Sequence, residues 1–141
     1  MIVLDASVML KWLLEDPTTE PDTDKATALI EAVIRGEMQI LQPVHWLAEV
    51  AAVLARLSPQ TAFADVDLLT AMEFPTIDEP SVMRRATTLA IETGQHVFDT
   101  LYHAVALEHD DATLITADDR YRRKAENQGR IAALRNWAAA P

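Results

Sequence analysis

Four carboxylates, Asp5, Glu49, Asp99 and Asp118, sit where a side chain can do chemistry. Asp5 ends the short apolar run Ile2-Val3-Leu4, and Asp118 follows the run 112–116 with only Ala117 between them. Each is either an N-cap for the helix that follows or a ligand for a cation. Glu49 is the lone charge within 46–54. A position inside a helix excludes capping, and a buried carboxylate is costly unless it is paired or binds a metal. The plainer alternatives are a helix face that reaches solvent, or a pair with Arg56. Asp99 opens the helical stretch 99–107, again as cap or ligand, and His103 one turn on either holds it by a hydrogen bond or lies at the surface. Taken together, four such carboxylates suggest an oxygen-rich site for a hard cation. Magnesium needs few carboxylates because it keeps several waters. A chain with four histidines and no cysteine suits magnesium or manganese better than zinc or copper. A cation there would relieve the repulsion between crowded carboxylates, activate water and stabilise charge on a phosphoryl oxygen.

The elements that must position these groups alternate in type. Ile2-Val3-Leu4 is too short for a helix and reads as a buried parallel strand. Residues 7–14 read as a helix, and 15–21 as a polar, proline-marked loop. A helix over 22–35 buries Ala26, Leu29, Ile30, Val33 and Ile34, with Asp22 as cap and Gly36 as stop. Ile40-Leu41 is a short strand closed by Pro43, and 45–57 is an apolar helix. Ser58-Pro59 restarts a helix that runs to about Met72. Thr76-Ile77 is a weak strand signal before a helix over 82–93 stopped by Gly94. After the helix 99–108 come a clear strand at 112–116, a helix over 118–127 ended by Gly129, and an edge strand at 131–134. No hairpin signal, repeat or linker breaks the pattern. The expectation is one α/β domain spanning 1–141, with a central parallel sheet of about four to five short strands flanked by helices. The first and fourth carboxylates then emerge at the same sheet edge, where open α/β sheets bind ligands.

Bulk composition narrows the class. At 141 residues, half of them hydrophobic, the chain fits a single core. The absence of cysteine excludes a disulfide framework, a thiolate zinc site and a cysteine nucleophile. No basic residue precedes the first apolar stretch and Asp5 interrupts it, unlike a signal peptide. No apolar run approaches a membrane span. A soluble, cytoplasmic protein is expected. The net charge of −10, from 22 acidic and 12 basic residues, argues against broad electrostatic binding of nucleic acid. Yet Arg120, Arg122, Arg123, Lys124, Arg130 and Arg135 gather half the basic residues near the carboxyl end, as a solvated helix face or as something more.

The motifs resemble those of PIN domains, and specifically VapC-type toxins of bacterial type II toxin–antitoxin pairs, over essentially the whole chain. The opening Ile2-Val3-Leu4-Asp5-Ala6-Ser7 with Lys11-Trp12-Leu13-Leu14, then Pro43 with Glu49, then 99–106 beginning Asp99-Thr100-Leu101-Tyr102-His103, then 114–120 with Thr116-Ala117-Asp118-Asp119-Arg120, occur in the family's order. The resemblance implies a magnesium- or manganese-dependent endoribonuclease that cleaves RNA phosphodiesters by in-line attack of metal-activated water. Asp5 and Asp99 would be direct ligands, and Glu49 and Asp118 would bind directly or through water. Ser7 and Thr116 would be hydroxyl partners that orient carboxylates or contact metal-bound water, while the role of Asp119 stays open. Arg120, Arg122, Arg123 and Lys124 become candidates to hold RNA phosphates or to bind this protein's own acidic surface. It also implies a cognate antitoxin lying across the active-site groove and a homodimer. The helix 7–14, with Trp12 as anchor or core residue, is a candidate groove wall. Phe63, Val66, Leu69 and Met72 serve the core or a dimer seam.

Two rivals remain. A haloacid-dehalogenase-type phosphotransferase also begins with a strand ending in aspartate, but wants a second acid where this chain has Ser7. It also wants a cation between Leu57 and Arg84, where the chain has none. Phosphoenzyme trapping would reveal it. The other rival is a catalytically silent PIN-like module that binds RNA or protein, which loss of an acidic position would have favoured.

Overall fold

A computed structural model of the chain describes residues 1–14 and 20–138. Most of the expected loop at 15–21 therefore lies outside the described residues. The elements run β1 (Ile2–Leu4), α1 (Ala6–Leu14), α2 (Thr23–Ile34), β2 (Gln42–Pro43), α3 (Trp46–Leu57), α4 (Ala62–Ala71), β3 (Thr76–Ile77), α5 (Pro80–Thr93), α6 (Val97–Glu108), β4 (Thr113–Thr116), α7 (Asp119–Ala125) and β5 (Ile131–Ala133). Single 3-10 turns follow α7 and β5. The strands are short and apolar because both faces of the sheet are covered by helices. Val3 and Leu4 are wholly buried, and Leu114 and Ile115 nearly so.

The parallel layer comes in two pieces. β1, β4 and β5 form one sheet with β4 central, and β2 pairs with β3 in a second. The expected single sheet of four to five strands is thus divided three and two. The seam is closed by a parallel bridge between Ile2 and Ile40. One residue pair further on, a side chain takes over from the backbone. The buried Gln42 accepts from the Leu4 N–H and donates to the Leu4 C=O, each at 2.9 Å. Gln42 thereby satisfies both polar groups of Leu4 on that side. Its own backbone turns away, its N–H donating to the carbonyl of Pro75. The strand read at Ile40-Leu41 is accordingly displaced to Gln42–Pro43.

Other boundaries move for local reasons. α4 begins at Ala62, not Pro59, because Ser58 leaves the helical region and Thr61 and Ala62 close a turn on its carbonyl. α6 begins at Val97, with His96 extended before it. Asp99 therefore lies in the first turn, where a carboxylate faces the positive end of the helix dipole. Asp22 precedes α2 but makes no capping bond and adopts φ 63°. Within α4, Leu69 is buried and Val66 packs against the core, while Phe63 is 88% exposed. Trp12 packs against the core cluster. Among the described residues no helix is long and apolar enough to cross a membrane.

Candidate active site

The carboxyl end of β1 delivers Asp5 between two hydroxyls. Ser7 at the start of α1 and Thr116 at the end of β4 both donate to Asp5 Oδ2 at 2.6 Å. Each hydroxyl is itself aimed by a backbone amide. The Ala117 N–H donates to Ser7 Oγ and the Asp118 N–H to Thr116 Oγ1, both at 3.0 Å. Parallel pairing of β1 with β4, Leu4 beside Ile115, makes this convergence possible. Asp5 does not cap α1 with its side chain: its hydrogen bonds come from hydroxyls and fall on one oxygen, which leaves Oδ1 open.

Glu49 enters from the first turn of α3. The Tyr102 hydroxyl from α6 donates to Glu49 Oε2 at 2.7 Å, and His45 Nε2 lies 3.6 Å from the same oxygen. No ion pair with Arg56 forms among the described residues, and the Glu49 side chain is 27% exposed. Tyr102 is itself buried. A buried tyrosine in an apolar helix needs a partner for its hydroxyl, which is the signal in the sequence that could have found this contact.

Asp99 and Asp118 complete the edge. Asp99 is half-buried, and its carboxylate accepts no hydrogen bond among the described residues. Asp118 is an N-cap for α7: its Oδ1 accepts from the N–H groups of Arg120 and Tyr121 at 2.9 and 3.0 Å. Only that one oxygen is used, so capping and cation binding are compatible at Asp118.

The four carboxylates repel one another. Burial pushes the Asp5 carboxyl above its usual range, its two hydroxyl bonds pull it down, and the charges of Asp99 and Asp118 push it up again. Glu49 is raised by burial, then by Asp5 and Asp99, against the Tyr102 bond. Asp99 is raised by burial and by Asp118, and eased by His96 and His45. Each therefore lies within the field of at least two of the others. A neutralising hard cation fits this oxygen-only donor set. Among the described residues, however, no group of three or more His, Asp or Glu side chains is arranged so that it could hold a metal ion directly. The cluster is open, and a cation there would be held partly through water.

The fold and the acidic edge coincide with a family match, in which a model described as PIN domain covers residues 2–127. The chain belongs to the PIN domain family. The match takes in all four carboxylates and stops short of β5. PIN domains are generally nucleases and typically bind divalent metals. A search of curated proteins finds no match to the chain.

The surroundings of this PIN site differ in part from the sequence reading. Arg120, Arg123 and Lys124 are exposed and make no ion pair among the described residues. Arg122 is engaged on its own helix, at 2.6 Å from Glu126 and 3.4 Å from Asp119. Asp119 is gripped by both guanidinium nitrogens of Arg135 as well, which holds its carboxyl below the usual range and ties α7 to the chain beyond β5. His103 neither holds Asp99 nor lies at the surface. It is fully buried, with Nδ1 3.1 Å from the Tyr121 hydroxyl and Nε2 2.7 Å from the Gly129 carbonyl. A groove of about 410 Å³ opens beside Asp118, lined by Ser7, Leu10, Lys11 and Leu14 of α1 and by Val53 and Leu57 of α3. The aliphatic residues of α1 form its wall, not Trp12.

Proposed function

We propose that this PIN domain is a magnesium- or manganese-dependent endoribonuclease, the VapC-type toxin of a toxin–antitoxin pair. The observation that carries the reading is the convergence of Asp5, Glu49, Asp99 and Asp118 from four elements, with Asp5 in the field of Asp99 and Asp118, and Glu49 in the field of Asp5 and Asp99. A bound magnesium or manganese ion would supply Lewis acidity and an activated water at the scissile phosphate. Asp5 Oδ1, the Asp99 carboxylate and Asp118 Oδ2 are the oxygens left without protein donors, and they would face the ion, in part through water. Ser7 and Thr116 fix the plane of Asp5 by committing both hydroxyl protons to the other oxygen. Tyr102 does the same for Glu49. Arg120, Arg123 and Lys124 would hold RNA phosphates against an acidic rim. A cognate antitoxin would lie in the groove between α1 and α3, with its apolar side chains against Leu10, Leu14 and Leu57, and the toxin would act as a homodimer in the cytoplasm.

Calorimetric titration of magnesium and manganese tests the metal site directly. Saturable binding to the wild type that weakens sharply in Asp5→Asn and Asp99→Asn is expected, with RNA cleavage abolished by chelator. If the wild type binds neither ion, even with RNA present, the nuclease reading falls. The open geometry of the cluster favours the second reading that would then stand, a catalytically silent PIN module that binds RNA or protein.

A further inference from the structure

Beside Glu49 the surface changes character. A hollow of about 310 Å³ is lined by His45, Ala48, Glu49, Ala52 and Phe98. Phe98 is 63% exposed although it immediately precedes Asp99 in the chain. Its ring leans on the His45 imidazole at 5.6 Å with a 34° tilt, and His45 in turn packs against Tyr102 at 4.9 Å. His45 Nε2 also lies 2.9 Å from the Phe98 carbonyl. The aromatic ring thus rests against His45, which also meets the Phe98 backbone. Ala48 and Ala52 supply a floor with no side chain beyond Cβ, on an exposed helix face where polar residues are the rule. The same row continues one turn on to Arg56, which is exposed and has no ion pair among the described residues. The Arg56 backbone stands roughly 12 Å along the axis from that of Ala48.

We infer that Phe98, with the floor of Ala48 and Ala52, is a stacking subsite for an unstacked base of a single-stranded RNA whose backbone passes the carboxylate cluster. The inference rests on the nuclease reading and adds to it a contact for one base of the substrate. A polar pocket would read a base edge; a bare ring over alanines reads only a flat face, so the subsite is tolerant of base identity. Single-stranded RNA presents such faces, whereas a duplex keeps them stacked. The hollow shares Glu49 with the cluster, and Phe98 and Asp99 come from one turn of α6, so a base seated here places its backbone beside the acids. Arg56 further along the row suits an anionic strand. In a chain of net charge −10, a contact that does not depend on charge offsets part of the repulsion the strand meets.

The test separates base from backbone. Asp5→Asn protein, which keeps RNA intact, is titrated by fluorescence anisotropy with labelled hexauridylate and with an abasic hexamer of the same backbone. The expected result is tighter binding of hexauridylate by roughly 5- to 150-fold. That preference should collapse in the Asp5→Asn, Phe98→Leu double variant, whose melting temperature should match that of its parent. Equal preference in both proteins, or no binding of hexauridylate at all, overturns the subsite and leaves Phe98 as a contact for a protein partner. Magnesium-dependent cleavage by the wild type is scored separately. A base preference that depends on Phe98, without cleavage, keeps the subsite and removes the nuclease. Cleavage without that preference does the reverse.

Discussion

Asp5 shows at the scale of one residue how a site is set against the fold that carries it. Its carboxyl titrates above the usual range because burial and two neighbouring carboxylates outweigh two short hydroxyl bonds. A group whose folded pKa is raised binds more protons folded than unfolded, so stability falls as pH rises toward neutrality. Asp5→Asn should therefore melt higher than the wild type at neutral pH without divalent ions. The gain should shrink on acidification as the wild-type carboxyl takes up its proton. Magnesium should raise the wild-type melting temperature with the logarithm of its concentration once that exceeds the dissociation constant and move the variant little. Differential scanning calorimetry at two pH values, with and without magnesium, checks all three outcomes, and a variant that melts lower in every condition would contradict them. His45 and His103 work with the opposite sign. Burial holds both imidazoles below the usual range, so their contribution is present above about pH 6.5 and fades below it. The difference between variant and wild type at each pH removes that shared background.

At the scale of elements, β1, α3, α6 and β4 were legible because each carries its signal within itself. An apolar run ending in aspartate, a lone glutamate in an apolar helix and a strand rich in β-branched residues need no distant information. What was not legible depends on partners remote in sequence. Tyr102 and Glu49 are 53 positions apart, and nothing within 99–107 reveals that His103 meets Tyr121 and Gly129. Asp118 was legible as cap or ligand, and the structure shows the cap; which oxygen its two donors take is not written in the sequence. Boundaries slipped where Ser58 leaves the helical region and defers the next helix, and where α6 starts directly after the extended His96. Gly129 shows the cost of such local geometry. It sits at φ 79°, ψ −178°, a region essentially restricted to glycine, and its carbonyl anchors His103. Gly129→Ala meets no atom within 4 Å, so its effect is conformational. A loss of about 1–3 kcal/mol is expected in urea unfolding, and a neutral result would show that the turn rearranges at no cost.

On the scale of the whole molecule, the parallel layer of the PIN domain is joined across a seam by the amide of Gln42. Replacing it with leucine, as Gln42→Leu, strands the N–H and C=O of Leu4 in the interior. A destabilisation of about 2 kcal/mol or more is expected, read by chemical denaturation. The residue lies one strand position from Asp5 yet touches no carboxylate, so lost activity at temperatures where the variant stays folded would indicate that seam and site are coupled. The seam has a kinetic consequence too. An amide hydrogen locked in a strand ladder exchanges with solvent deuterium only when strands separate, whereas one held by a side chain is freed when that side chain swings away. The Leu4 amide should therefore exchange ahead of those of Leu114 and Ile115 in the same layer. The β2–β3 edge would then breathe as a unit of its own, hinged along the line where Gln42 stands in for a strand.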